Sequence, residues 1–83
     1  MDILYFAWVR ERIGTDHEKV DPPGNVRDLR GLIGWLAARS AGHESALSDT
    51  SRLRAAIDQQ FAELDAPLAG AREVAIFPPV TGG

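Results

Sequence analysis

Eighty-three residues suffice for one domain and one core, 1–83. A chain this short buries only about 60% of the surface it exposes when unfolded, which leaves few residues for a deep catalytic cleft and argues against an autonomous enzyme, though not against a subunit of one. Nine Lys+Arg against twelve Asp+Glu leave a net charge of −3 with the basic residues scattered, so the footprint of a nucleic-acid binder is missing, and the absence of cysteine excludes disulfides, zinc-cysteine sites, iron-sulfur ligation and thiol chemistry.

The segment Ile3 to Val9 is rich in β-branched and aromatic residues and apolar on both alternating faces, as a buried central strand is. It is too short for a membrane span or a signal peptide and has no basic stretch before it, so no membrane association and a cytoplasmic location are expected. Gly14-Thr15-Asp16 is turn chemistry, and His17 to Asp21 suits a half-exposed strand returning antiparallel, which makes the first part of the chain a hairpin.

Pro22-Pro23-Gly24 interrupts the chain, Asn25 is placed to cap a helix starting at Val26, and Asp28 suits the positive end of that helix's dipole. Val26, Leu29, Leu32, Ile33 and Leu36 follow helical spacing, so one face of a helix reaching about Arg39 is predicted to pack on the sheet. The small, polar stretch Ser40 to Ser51 reads as a loop with at most one helical turn. From Leu53 to Leu64 the local pattern favours a helix, because Leu53, Ala56, Ile57, Phe61 and Leu64 form a stripe among good helix formers. After a turn-bearing connection, Glu73 to Phe77 is a strand stopped by Pro78-Pro79.

His17 and His43 lie in polar surroundings without metal-ligand spacing and read as surface residues; Asp58, Glu63 and Asp65 read as a solvated face. There is no phosphate-binding glycine loop and no GxSxG elbow. What stands out is the end of the sequence. Gly82 and Gly83 lack Cβ, so they can thread a narrow channel and leave a terminal carboxylate sterically open, while Pro78-Pro79 projects the tail stiffly and lowers the entropy lost when a partner grips it.

At these residues the sequence resembles the molybdopterin synthase small-subunit (MoaD) family. The resemblance rests on Asp65-Ala66-Pro67-Leu68 and on the ending Glu73-Val74-Ala75-Ile76-Phe77-Pro78-Pro79-Val80-Thr81-Gly82-Gly83. It extends to Tyr5-Phe6-Ala7 with Arg10-Glu11, Gly14 and Thr15, and to Leu29-Arg30 with Leu32. It implies an α+β, ubiquitin-like β-grasp fold, a mixed four- or five-stranded sheet packed on one main helix, with a flexible tail over 80–83. It also implies that Arg54 to Asp58 is a strand, Asp58-Gln59 a turn and Phe61-Ala62 part of the next strand, against the local helical reading. Two turn sequences depart from the family pattern: Asp58-Gln59 stands where Asn-Gln is usual, and Gly70-Ala71-Arg72-Glu73 where Gly-Asp-Glu is usual.

The implied chemistry is sulfur carriage. A MoeB-type enzyme uses ATP to adenylate the Gly83 carboxylate, and a sulfur donor converts the acyl-adenylate to a thiocarboxylate. The tail, with Pro78, Pro79, Val80, Thr81 and Gly82 as its channel-binding residues, then enters the large synthase subunit (MoaE) of an expected heterotetramer. There cyclic pyranopterin monophosphate becomes molybdopterin. No cofactor and no metal is expected on this chain. Phe6, Phe61 and Phe77 are implied to form the partner interface, although each taken alone reads as core. Related readings of the same activated terminus are a carrier for thiamine or another thiolated product, or a ubiquitin-like protein modifier, for which Lys19 is the single side-chain site of self-conjugation.

Overall fold

A computed structural model describes residues 1–79; Val80, Thr81, Gly82 and Gly83, and with them the expected flexible tail, lie outside the described residues. Strand β1 (Asp2–Tyr5) pairs antiparallel with β2 (His17–Lys19) and parallel with β5 (Glu73–Phe77). Strand β3 (Arg54–Ile57) pairs antiparallel with β5 and with β4 (Gln60–Ala62), giving the order β2-β1-β5-β3-β4. This is the mixed, five-stranded β-grasp arrangement that the family resemblance implies.

Period-two alternation sends Ile3, Tyr5, Ala55, Val74 and Ile76 to one face, where all are buried. Three short helices cover that face: α1 (Ala7–Ile13), α2 (Leu29–Ala37) and α3 (Ala41–Leu47). The longest, α2, contributes Leu29, Leu32, Ile33 and Leu36, all with 1% exposure or less, while Val9, Ala46 and Leu47 come from α1 and α3. At roughly 1.5–3 kcal/mol per fully buried aliphatic side chain, this cluster is the principal stabilising term.

Several sequence expectations are corrected. The strand expected over Ile3 to Val9 ends at Tyr5, and Ala7 to Ile13 is helical. Val9 and Ile13 are an i, i+4 pair facing the core, and Gly14, at φ 94°, closes the helix by donating its N–H to the Arg10 carbonyl at 2.8 Å. A short run apolar on both faces cannot separate strand from buried helix, and Gly14 is a helix C-cap rather than a hairpin turn. The strands β1 and β2 do pair antiparallel, but across this helix.

The second helix begins at Leu29, not Val26, and its cap is Asp28, whose Oδ1 accepts from Gly31 N–H at 2.8 Å. Asn25 is displaced from this role because Arg27 to Arg30 is tied to the 64–68 segment through Leu29 N–H to Ala66 O, Arg30 N–H to Leu64 O and Leu68 N–H to Arg27 O. The stretch read as a loop carries α3, capped by Ser40, whose Oγ accepts from His43 N–H at 3.1 Å, and a 3-10 turn over Thr50–Arg52. Gly42 explains how so small a helix seats. A Cβ there would stand 2.6 Å from the Arg12 carbonyl oxygen, so only glycine lets α3 approach α1 this closely.

Residues 53–64 are β3, turn and β4, as the resemblance implies and against the local helical stripe. Asp58 and Gln59, at φ 48° and 71°, form the left-handed two-residue turn that suits the twist of a hairpin. The Asp58 Oδ1 accepts from the backbone N–H of Arg72 and of Glu73 at 3.0 and 2.9 Å, and Asp58 N–H donates to Glu73 O. The two departures from the family pattern therefore meet in one contact, for which any side-chain oxygen at position 58 suffices. No helix among the described residues is long and apolar enough to cross a membrane.

Candidate functional site

Among the described residues, no element covers the opposite face of the sheet. Register aligns Leu4, Ala75, Ala56 and Phe61 across four strands, with Phe77 one pleat further along β5. Phe61 is 84% exposed and Phe6 46%, and Phe77 is half-buried. Their rings rim a shallow depression of about 360 Å³ whose other lining residues are Ala56, Ala75 and Gln59. Two alanines at adjacent positions leave the floor low, and Phe61 meets Phe77 edge to face at a centroid distance of 5.9 Å and 61°. The residue-by-residue reading of these phenylalanines as core is overturned. A central strand cannot send Phe77 inward once Val74 and Ile76 occupy the core face.

Phe6 reaches this face because the chain leaves the sheet directly after it. Its N–H donates to the Ile76 carbonyl at 3.2 Å, and Ala7 then turns at φ 54°, a left-handed conformation that costs a non-glycine residue roughly 1–2 kcal/mol. The strain falls at the junction of strand, helix and aromatic face. Strand β5 runs through the middle of the sheet, and Pro78 and Pro79, both half-buried, follow directly after Phe77 of the depression's rim. The remaining residues expected at the site, Val80 to Gly83, lie outside the described residues. A larger groove of about 760 Å³ between α2 and the β3–β4 edge is lined by Leu29, Ile33, Leu53 and Leu64 with Arg54 and Glu63 as its only titratable groups, and it brings no reactive set together.

One buried polar cluster was not foreseen. His43, read as a surface residue, is 8% exposed, because α3 turns it under β1 and β2. Glu18 Oε2 accepts from Tyr5 O–H at 2.6 Å and lies 2.7 Å from His43 Nε2, and His43 Nδ1 lies 2.7 Å from Ser40 Oγ. An ionised carboxylate only accepts, so Nε2 carries a proton in this arrangement. Arg39 stands 3.8 Å from the other carboxylate oxygen. Burial alone raises the carboxyl pKa, but the hydrogen bonds from His43 and Tyr5 and the adjacent charges outweigh it and hold Glu18 below the ordinary carboxylate range. Burial and the same carboxylate push the Tyr5 phenol far above its usual value. The cluster joins β1, β2 and α3 from the core side, away from the aromatic face. The other histidine matches its reading: His17 is exposed, with Nε2 3.3 Å from Asp2 Oδ1. Trp8 lies under the guanidinium groups of Arg12 and Arg52, at 4.6 and 5.0 Å, and Trp35 under that of Arg39 at 5.1 Å. No group of three His, Asp or Glu able to hold a metal occurs among the described residues.

The strand order, the helices on one face and the bare aromatic face on the other define a ubiquitin-like protein. SAMP1 from Haloferax volcanii superposes with a TM-score of 0.77 at 25% identity, covering all of this chain and 98% of that one. The family model described as "ThiS family" matches residues 3–83, and the chain belongs to that family. It is 42% identical to the molybdopterin synthase sulfur carrier subunit of Escherichia coli (strain K12) over 81 residues, 98% of this chain and 96% of the relative. To the protein of the same name from Haemophilus influenzae it is 31% identical over 83 residues, covering 100% and 99%.

Proposed function

We propose that this chain is the sulfur-carrier small subunit of a molybdopterin synthase. Its Gly83 carboxylate is adenylated by a MoeB-type enzyme with ATP. A sulfur donor then displaces AMP to leave a thiocarboxylate. A free carboxylate is a poor electrophile, whereas the acyl-adenylate has a good leaving group. The large subunit, MoaE, receives the tail in an expected heterotetramer, and the sulfur passes to cyclic pyranopterin monophosphate in the cytoplasm. The chain itself binds no cofactor in this scheme.

The observation that carries the proposal is the union of tail and face: the central strand exits into Phe-Pro-Pro beside an exposed apolar depression rimmed by three phenylalanines. The depression supplies binding area next to, but apart from, the reacting group, so a partner can grip the body while the tail threads its pocket. The three tail-proximal phenylalanines are accordingly assigned to the partner interface, and Pro78, Pro79, Val80, Thr81 and Gly82 to the channel.

The test is deletion of Gly83. It draws the terminal carboxyl back by about 3.5 Å, and a misplacement of about 1 Å already costs on the order of 100-fold in rate. Molybdopterin formation with the large subunit should be lost while thermal unfolding stays unchanged. In the full-length chain, activating enzyme, ATP and sulfide should give the mass increase of one sulfur-for-oxygen exchange. Normal product from the truncated chain refutes the carrier role.

A further inference from the structure

Activating an acyl terminus exposes it to every amine within reach, so the identity and placement of the cationic residues of this chain bear on that reaction. Eight of the nine Lys+Arg residues are arginine and one, Lys19, is lysine. A guanidinium stays protonated and is not an acyl acceptor, whereas a lysine amine is. Lys19 is exposed on β2 and pairs with Asp2, which pairs in turn with Glu73, the first residue of β5. The amino nitrogen of Met1 sits at the same end, donating to the Val20 carbonyl at 3.1 Å. The tail leaves from the other end of β5. Four residue steps along the strand and two strand spacings place Lys19 about 16 Å from Phe77. Each proline carried on in the direction of β5 adds about 3 Å. The four residues after Pro79 reach about 14 Å at full extension, and a lysine arm adds about 6 Å. The sum barely matches the roughly 22 Å to be spanned, so only a fully extended tail doubled back along the sheet meets Lys19, whereas Arg54 lies one strand from Phe77.

We infer that the fold insulates its activated terminus against self-acylation, by keeping its amines at the end of the sheet opposite the tail and placing an arginine, not a lysine, beside Phe77. The inference rests on the proposed activation of Gly83. Arg54, the exposed residue paired with Phe77, is the position where the choice of cation matters most. A lysine there brings an amine well within the tail's reach. In the reaction avoided, the amine nitrogen attacks the acyl carbon, the leaving group departs with the bonding pair, the ammonium loses a proton, and an amide closes a macrocycle.

The experiment uses the full chain with Gly83 prepared as a thioester by intein cleavage, so its outcome does not depend on any activating enzyme. Native, Arg54→Lys and Arg72→Lys chains are held in dilute, mildly alkaline buffer and followed by intact mass. Arg72 adjoins Glu73 at the Lys19 end, so its variant adds a lysine without bringing it near the tail. Arg54→Lys should convert to the amide macrocycle, with loss of thiol, at least about tenfold faster than the other two, which should hydrolyse to the acid. Macrocycle formation in the native chain at the rate of Arg54→Lys overturns the inference. So does hydrolysis alone in all three. If the enzymatic assay for the carrier role fails while this ordering holds, the insulation stands and the assigned pathway falls.

Discussion

Two glycine-to-alanine substitutions in neighbouring helices should change stability in opposite directions. In α3, a Cβ on Gly42 meets the Arg12 carbonyl oxygen at 2.6 Å and the Ile13 Cα and carbonyl oxygen at 3.5 Å. The first contact involves backbone on both sides, so no side chain can rotate away. Either α3 or the end of α1 must retreat, disturbing the packing of Val9, Ala46 and Leu47 and the hydrogen bond from Arg12 Nη1 to Ser45 O. Overpacking of this kind costs about 1–3 kcal/mol. Alanine's advantage as a helix former returns at most about 1 kcal/mol. Gly42→Ala should therefore lose about 1–2 kcal/mol, or roughly 5–15 °C in Tm for a domain this size. In α2, Gly34 is exposed with nothing within 4 Å of its Cβ position, and Gly34→Ala should gain about 0.5–1 kcal/mol. Urea and thermal unfolding of both variants, followed by circular dichroism, measure the difference. A Gly42→Ala chain as stable as the parent would refute the close seating of α3 on α1; a destabilised Gly34→Ala would refute the open side of α2.

Glu18→Gln keeps the shape of the buried cluster but removes the charge, and should cost about 1–3 kcal/mol because Tyr5 O–H and His43 lose an ionised acceptor. Since the folded-state pKa of Glu18 is depressed, its stabilisation is present above the ordinary value of 4.5 and is lost as pH falls through the folded value. Urea unfolding across acid pH should show a shallower decline for Glu18→Gln, and an unchanged acid limb would remove Glu18 from the account. At the aromatic face, Phe61→Ser should leave stability within about 0.5 kcal/mol, since the ring is 84% exposed. Its affinity for the large subunit, measured by calorimetry, should fall at least about tenfold. Undiminished binding would move the interface elsewhere.

The sequence alone determined the elements with a single available geometry. Glu73 to Phe77 alternates between two strong β-formers facing in and residues facing out, and prolines end it, so no competing period exists. The helical stripe of Leu29, Leu32, Ile33 and Leu36 was legible for the same reason. The proposed carrier ending could be read from sequence because its chemistry depends on residue type, glycine without Cβ and proline with fixed φ, rather than on neighbours. Where two geometries suit the same residues, tertiary structure decided. Ala7 to Ile13 is helix because its apolar side packs against α3 and the sheet, not because of its composition. Leu53 to Leu64 is a hairpin because Ala55 completes the core face beside Ile76, and the left-handed pair Asp58-Gln59 turns it back. His43 reads as a surface residue until α3 carries it across to Glu18, twenty-five positions away. Likewise, each phenylalanine by itself reads as core. Only the register of four strands, with alanine at positions 56 and 75, brings Phe61 and Phe77 together on an uncovered face and sets Phe6 beside them, because burial depends on what lies opposite a side chain and not on the side chain alone.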